Sequence, residues 1–230
     1  MARRHAAWVA GMLWSVGVGT ASTQPLSPTE LYAKAAPSVW RVQTYDADNL
    51  PLGLGSGVVV ETEALVTNCH VLAKARRVTV RREGGRPLPA RLVQWDPPRD
   101  VCRLQVPGLA APAVELVDSA QLQVGQPVYA IGNPKGLDLT MSAGLLSSIR
   151  RNDRQQTVLL QTSAAISGGS SGGGLFDDQG RLIGLTTIGS VVGDAQNLNF
   201  AIPAEWVRDL PRRHALGQAP RGAASGPATP

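Results

Sequence analysis

An all-β fold of the barrel type is predicted for this 230-residue chain by three features. Val, Leu, Ile and Thr recur in short runs, those runs are punctuated by 25 glycines and 17 prolines, and aromatic residues make up only 4% of the sequence. Many short β-branched segments separated by turn residues suit strands that close on themselves.

Along the chain, Arg3-Arg4-His5, the apolar stretch Ala6 to Gly19 and the small residues Thr20-Ala21-Ser22 read as a secretory signal peptide over 1–21. An uncleaved anchor is the alternative, although the apolar core is short and glycine-interrupted for a membrane span. The body follows as 22–210, and Pro211 to Pro230, rich in Pro, Ala, Gly and Arg, is expected to be a disordered tail. The formal charge of +5 resides in Arg3, Arg4, Arg212, Arg213 and Arg221, so the body is balanced and nucleic-acid binding is not indicated.

Gly168-Gly169-Ser170-Ser171-Gly172-Gly173-Gly174 is the most informative stretch. A serine inside a glycine run can sit on a sharp turn among bare backbone N–H groups, because glycine has no Cβ to block φ > 0 or cover the donors. A flexible linker has the same composition, but strand-like segments flank the run on both sides, Val158 to Thr162 and Gly174 to Phe176. A nucleophile elbow of the Gly-x-Ser-x-Gly kind needs an acid and a histidine downstream, where only His214 follows. A phosphate-cradling loop needs Lys-Ser/Thr after the glycines, and Leu175-Phe176 stand there instead.

Upstream, His70 is the only histidine of the body and ends the strand pattern Leu65-Val66-Thr67-Asn68-Cys69-His70. Taken alone it reads equally as a structural histidine. Asp100 opens a second apolar strand, Val101 to Leu104, where an unpaired carboxylate would be costly. The order His, Asp, Ser is one of the known chain orders of the catalytic triad.

Five segments together are specific: Thr67 to Val71, Arg99 to Leu104, Val128 to Leu137, Gly169 to Gly173 and Asn199 to Pro203. In order and spacing, over roughly residues 29 to 210, the chain resembles the HtrA/Deg branch of the trypsin-like serine proteases. The resemblance implies two antiparallel six-stranded β-barrels with the active site between them, barrel one over about 38–106 and barrel two over about 124–202. The Pro/Ala-rich residues 107–123 would cross between them.

It also implies roles. His70, Asp100 and Ser171 would be the catalytic triad and the N–H groups of Gly169 and Ser171 the oxyanion hole, with no metal or organic cofactor. Thr187, Ile188 and Gly189 would pair with an extended substrate, the Thr187 hydroxyl supporting Asp100. Ala165 and Ile166 would form the base of the primary specificity pocket and Leu198 a wall, an uncharged set that argues against a Lys or Arg preference. Partners would be protein or peptide substrates in the periplasm or outside the cell, with no nucleic acid and, after leader removal, no membrane. Assembly state is left open. The family's larger members carry PDZ domains after the protease, and none is recognisable here, so PDZ-gated activation does not carry over. The other reading is a catalytically silent protein-binding module on a protease fold.

Cys69 precedes His70 and Cys102 lies two residues after Asp100, so if imidazole and carboxylate meet, their strands run side by side. In an exported protein that pair is expected to form a disulfide. Two independent buried thiols or a metal site with His70 are the alternatives.

Overall fold

The structure, a computed structural model, describes residues 24–187 and 198–218. Its twelve described strands form two closed, all-antiparallel barrels of six. The first contains β1 (Val39–Tyr45), β2 (Pro51–Glu61), β3 (Ala64–Thr67), β4 (Arg77–Arg81), β5 (Leu88–Asp96) and β6 (Val101–Gln105), closed in the order β1-β2-β3-β6-β5-β4. The second contains β7 (Pro127–Gly132), β8 (Thr140–Arg151), β9 (Thr157–Thr162), β10 (Gly174–Phe176), β11 (Leu182–Thr187) and β12 (Asn199–Pro203), closed in the order β10-β11-β12-β9-β8-β7. Closure leaves no unpaired sheet edge.

Each barrel has its own apolar filling. Val42, Val59, Leu65, Val80 and Leu104 occupy barrel one, and Val128, Leu146, Leu160, Leu175 and Ile183 occupy barrel two. A third cluster joins them, in which Val58, Val66 and Val101 of barrel one meet Ile131, Phe176, Leu182 and Ile202 of barrel two. Burying one such Leu or Phe side chain contributes roughly 1.5–3 kcal/mol, so the joint between the barrels is itself a core.

Two helices frame the barrels. Helix α1 (Pro28–Ala35) begins with a capping box, in which Ser27 and Glu30 each satisfy the other's backbone N–H, and Pro28 is pre-set for the first turn. Its Leu31 and Ala35 enter the joint core. Helix α2 (Glu205–Gln218) follows barrel two and returns to barrel one. There Arg213 Nε donates to Asp96 Oδ2 at 2.9 Å, and Trp95 N–H donates to His214 Nδ1 at 3.2 Å. Arg99 Nη1 donates to Asp209 Oδ2 at 2.6 Å.

This corrects the expected tail: residues 211–218 are helical. Pro211 lies inside the helix, where it removes one hydrogen bond, but Val207 and Leu210 are buried in the joint core and the ion pairs to barrel one hold the following turn. The leader and residues 219–230 lie outside the described residues. No helix among the described residues is long and apolar enough to cross a membrane.

Candidate active site

Barrel one brings two of the candidate residues together. His70 sits in a short 3-10 turn, Cys69–Leu72, directly after β3, and Asp100 ends another, Pro97–Arg99, directly before β6. Because β3 pairs with β6, Thr67 facing Cys102, the two turns emerge side by side. His70 Nδ1 lies 2.7 Å from Asp100 Oδ2, and the His70 N–H donates to Asp100 Oδ1 at 2.9 Å. One carboxylate therefore fixes both the ring and the backbone of the histidine. Asp100 itself is left-handed, at φ 56°, a conformation aspartate tolerates better than most residues. Its carbonyl accepts from Asn68 Nδ2 at 3.0 Å and from the Cys69 N–H at 3.3 Å, while its N–H donates to Pro97 O at 3.0 Å. These bonds tie the carboxylate to the strand that ends at the histidine.

Cys69 and Cys102 are joined by a disulfide, with Cα atoms 5.0 Å apart. The bond runs between the His70 turn and the Asp100 strand.

Barrel two supplies the serine. Ser171 is 3% exposed and lines, with His70 and Gly169, a cavity of about 460 Å³ between the barrels. The turn that carries it is held from both sides. Thr186 Oγ1 donates to Ser170 O at 2.6 Å and the Gly172 N–H donates to Thr186 O at 2.8 Å, both from β11. From barrel one, the Ser56 N–H donates to Ser171 O at 2.8 Å and the Ser56 hydroxyl donates to Gly169 O at 3.0 Å. Gly172, at φ 82°, packs so closely that a Cβ would stand 2.2 Å from Ser56 O.

The peptide between Gly168 and Gly169 has a defined direction. Lys135 N–H donates to Gly168 O at 2.6 Å, and no cis peptide occurs among the described residues, so the Gly169 N–H is directed away from Lys135. Among the described residues that N–H donates to no other group. An N–H held in place by its neighbours and left open can stabilise charge developing on a substrate oxygen.

The remaining candidates are less concentrated. Ala165 is exposed and lines a cavity of about 120 Å³ whose other walls include Ser142, Ser170 and Thr186. Ile166 instead leans on the barrel two core, and Leu198 is half-buried. Neither lines that cavity. Thr187 is buried at the end of β11, but its hydroxyl makes no hydrogen bond to Asp100, whose two carboxylate oxygens both face His70. That expectation is corrected. Ile188 and Gly189 lie outside the described residues.

Ser56 was absent from the expected set. Besides its bonds to the serine turn, its hydroxyl accepts from Asn133 N–H at 2.8 Å and its carbonyl accepts from Thr67 Oγ1 at 2.7 Å. The signal in the sequence is Gly55-Ser56-Gly57, since glycine inside a strand marks a close approach of another backbone.

Comparison with known proteins gives a consistent picture. A family model described as a trypsin-like peptidase domain matches residues 55–185. A protein named probable periplasmic serine endoprotease DegP-like, from Pseudomonas putida strain F1, is 36% identical over 185 residues, 79% of this chain and 39% of its own length. Periplasmic serine endoprotease DegP of Escherichia coli K12 is 36% identical over 179 residues, 74% of this chain and 38% of that protein. The chain thus spans about two-fifths of the length of these relatives. Among solved structures, one described as HtrA-type protease AlgW with tripeptide superposes with a TM-score of 0.71 at 36% identity, covering 81% of this chain and 62% of the other.

Proposed function

Since the chain belongs to the trypsin-like peptidase family, on its HtrA/Deg branch, we propose that it is an exported serine endopeptidase acting through His70, Asp100 and Ser171. The observation that carries this reading is the 2.7 Å contact of His70 Nδ1 with Asp100 Oδ2, in a turn whose histidine lines the same cavity as Ser171.

A serine hydroxyl is a weak nucleophile, so it must lose its proton as it attacks. With Nδ1 committed to Asp100, the other ring nitrogen of His70 is the base, and it returns the proton to the departing amine. Asp100 fixes the tautomer and stabilises the imidazolium. The carbonyl oxygen of the scissile bond, now carrying charge, is received by the N–H groups of Gly169 and Ser171, and the loss of one such donor typically costs about 3–4 kcal/mol of transition-state stabilisation. Water then hydrolyses the acyl-enzyme by the same steps in reverse.

The substrates are unfolded or damaged envelope proteins, with small or medium aliphatic side chains preferred before the cleaved bond, because the small cavity that Ala165 lines with Ser142 and Thr186 has no charged residue in its walls to pair with a buried Lys or Arg. The leader-like residues 1–21, and the periplasmic location named for the relatives, support export, with a protease unit that runs from about residue 22 to the end of α2 at Gln218. Labelling with a fluorophosphonate tests the reading. One probe per chain on Ser171, together with degradation of casein, is the expected result. A folded protein that takes up no probe returns the chain to the class of silent binding modules.

A further inference from the structure

The charge balance of residues 22–210 conceals an uneven distribution. Between Lys74 and Arg86 six of thirteen residues are cationic, namely Lys74, Arg76, Arg77, Arg81, Arg82 and Arg86, and one, Glu83, is acidic. The rest of 22–210 therefore holds eleven Lys or Arg against sixteen Asp or Glu. Arg99, Arg103, Arg181, Arg208, Arg212 and Arg213 all have carboxylate partners within 4.0 Å. None of the six cations between 74 and 86 has one among the described residues, and all but Arg81 are exposed. A solvated face of mixed sign needs no partner, whereas a concentration of one sign repels itself and attracts the other.

The fold gathers these charges on one side of barrel one. In β4, Val78 and Val80 turn into the barrel core, so Arg77 and Arg81 project outward with the period of two of a strand. Across the antiparallel β1–β4 pair, Tyr45 faces Arg77 and Arg41 faces Arg81. Like charges directly opposite one another are destabilising, and burial, then the Arg81 charge, push the Arg41 guanidinium below its usual range. Arg77 is held ready: its Cζ lies 3.6 Å from the centroid of the Tyr45 ring, and its Nε donates to Asn49 Oδ1 at 2.9 Å. Both of its Nη groups remain without a hydrogen bond among the described residues.

One end of this cationic track is at the catalytic cleft. Thr44 and Ala73 line the cavity that holds His70 and Ser171, and Tyr45 and Lys74 are the next residues of the chain. The Arg76 N–H donates to Tyr45 O at 2.8 Å, which sets the start of β4 beside the end of β1. From Arg77 to Arg81 the strand advances about 13 Å, about four residues of an extended polypeptide, and Arg82 and Arg86 follow in the turn between β4 and β5. The small cavity lined by Ala165 lies wholly in barrel two, whereas the track leaves the cleft over barrel one. A substrate that places the side chain before the cleaved bond in that cavity sends the residues after the bond toward the track.

We propose that the track from Lys74 to Arg86 is a substrate-docking surface that selects unfolded polypeptides with an Asp/Glu-rich stretch on the C-terminal side of the cleaved bond. The planar guanidinium fork matches a carboxylate in charge and geometry. Docking of the acidic stretch raises the local concentration of the scissile bond at Ser171. Each exposed ion pair changes an equilibrium by about 1.4- to 5-fold, so three or four in line give a preference of roughly tenfold, which salt screens. The inference deepens the peptidase reading and rests on it for the cleavage step.

Three internally quenched peptides with the core Ala-Ala-Leu-Ala-Ser-Ala test this: one followed by Glu-Asp-Glu-Glu-Asp-Glu, one followed by Gln-Asn-Gln-Gln-Asn-Gln, and one preceded by the acidic block. At low salt the trailing acidic block should raise kcat/KM about tenfold over the neutral one, chiefly through KM, and the ratio should fall below about twofold in about 0.5 M NaCl. The leading acidic block should give no such gain. Lys74→Gln/Arg76→Gln/Arg82→Gln removes three exposed charges whose side chains make no hydrogen bond among the described residues, and it should bring the ratio to about threefold or less. Lys74→Arg/Arg76→Lys/Arg82→Lys should keep it. The ratio is read within each protein, so a general loss of activity does not count. A ratio that ignores salt, that is equal for either placement of the block, or that survives the triple Gln variant would overturn the proposal. On the Ser171→Ala protein, fluorescence anisotropy should show the trailing acidic peptide binding about tenfold more tightly than the neutral one. Phosphatidylglycerol vesicles that strip this peptide at equal anionic charge would give the face to a lipid surface and overturn the proposal, and vesicles that leave it in place support it. Because affinity is read without cleavage, missing fluorophosphonate labelling removes the peptidase reading, whereas missing acid preference in Ser171→Ala removes this surface.

Discussion

The Ser56 hydroxyl of barrel one donates to the carbonyl of Gly169 in barrel two, across 113 residues of chain, at 3.0 Å. The same hydroxyl accepts from Asn133 N–H at 2.8 Å, so one buried side chain connects the serine turn with the loop that orients the Gly168 peptide. Ser56→Ala should therefore leave two buried backbone groups with a lost partner, a loss of about 1–3 kcal/mol. The expected result is a kcat reduced by about ten- to a hundredfold with a modest fall in Tm. Unchanged kcat would show that the turn holds its shape without the bridge.

Ser171→Ala should abolish casein cleavage, a loss on the order of 10⁵–10⁶-fold in kcat for a triad nucleophile, with thermal stability nearly unchanged. Ser170→Ala should keep substantial activity, since the hydrogen bond at residue 170 uses its carbonyl and not its hydroxyl. The reverse pattern would place the nucleophile one residue earlier.

Much of the architecture was legible in the sequence. Short β-branched runs between glycines and prolines indicate barrels, and five motifs in register fix the family and, through it, the number of strands. The helices were less visible for different reasons. The start of α1 carries a readable signal, Ser27-Pro28-Thr29-Glu30, in a capping box. In α2 local composition misleads, because Pro211 and the charged residues around it suggest loop, and only distant partners such as Asp96 and the joint core make the helix stable. At the site, His70 and Asp100 could be singled out from chain order and family motifs. Ser56 acts through a residue 113 positions away, and its flanking glycines mark a close approach without saying which backbone approaches.

Gly172→Ala should be far more damaging than an ordinary glycine substitution. Its φ is 82°, and the added methyl would sit 2.2 Å from Ser56 O and 2.3 Å from Thr67 Oγ1, where backbone cannot move aside cheaply. Loss of activity together with a lower Tm is expected in a thermal melt paired with a peptidase assay. A variant with parental activity would mean that the serine turn tolerates a second geometry.

Reduction of the Cys69–Cys102 bond should lower stability by roughly 3–4 kcal/mol on the chain-entropy account of its 33-residue loop, and activity should fall with it. Both cysteines line an open hollow with Leu92 and Trp95, which gives a small thiol access. Melting curves and peptidase rates with and without reductant, compared with a Cys69→Ala/Cys102→Ala double variant, test this. A reductant effect that persists in the double variant would point away from the disulfide.

Acidification should loosen α2. Hydrogen bonds from Arg212, and then from Arg99, hold the Asp209 carboxyl below its ordinary range. A carboxylate stabilised in the folded state contributes its full share above the ordinary aspartate value of about 4, and that share is lost as pH falls through the lowered value. Because Asp209 is partly exposed, the effect should be about 1 kcal/mol or less, a Tm change of about 2–4 °C. Melting from pH 7 down to pH 2.5 should show this decline in the parent and less of it in Asp209→Asn, and parallel curves would exclude Asp209 as the source.

The division of labour between the barrels has a consequence for how the molecule is made. His70 and Asp100 belong to the half that is synthesised first, and Ser171 arrives only with the half that follows. The serine turn is shaped by Ser56 on one side and Thr186 on the other, and α2, the last described element, closes back over barrel one through Asp96 and Arg99. On the proposed roles, a chain interrupted after barrel one would carry the base without the nucleophile, and the site between the barrels takes shape only once barrel two and α2 have followed.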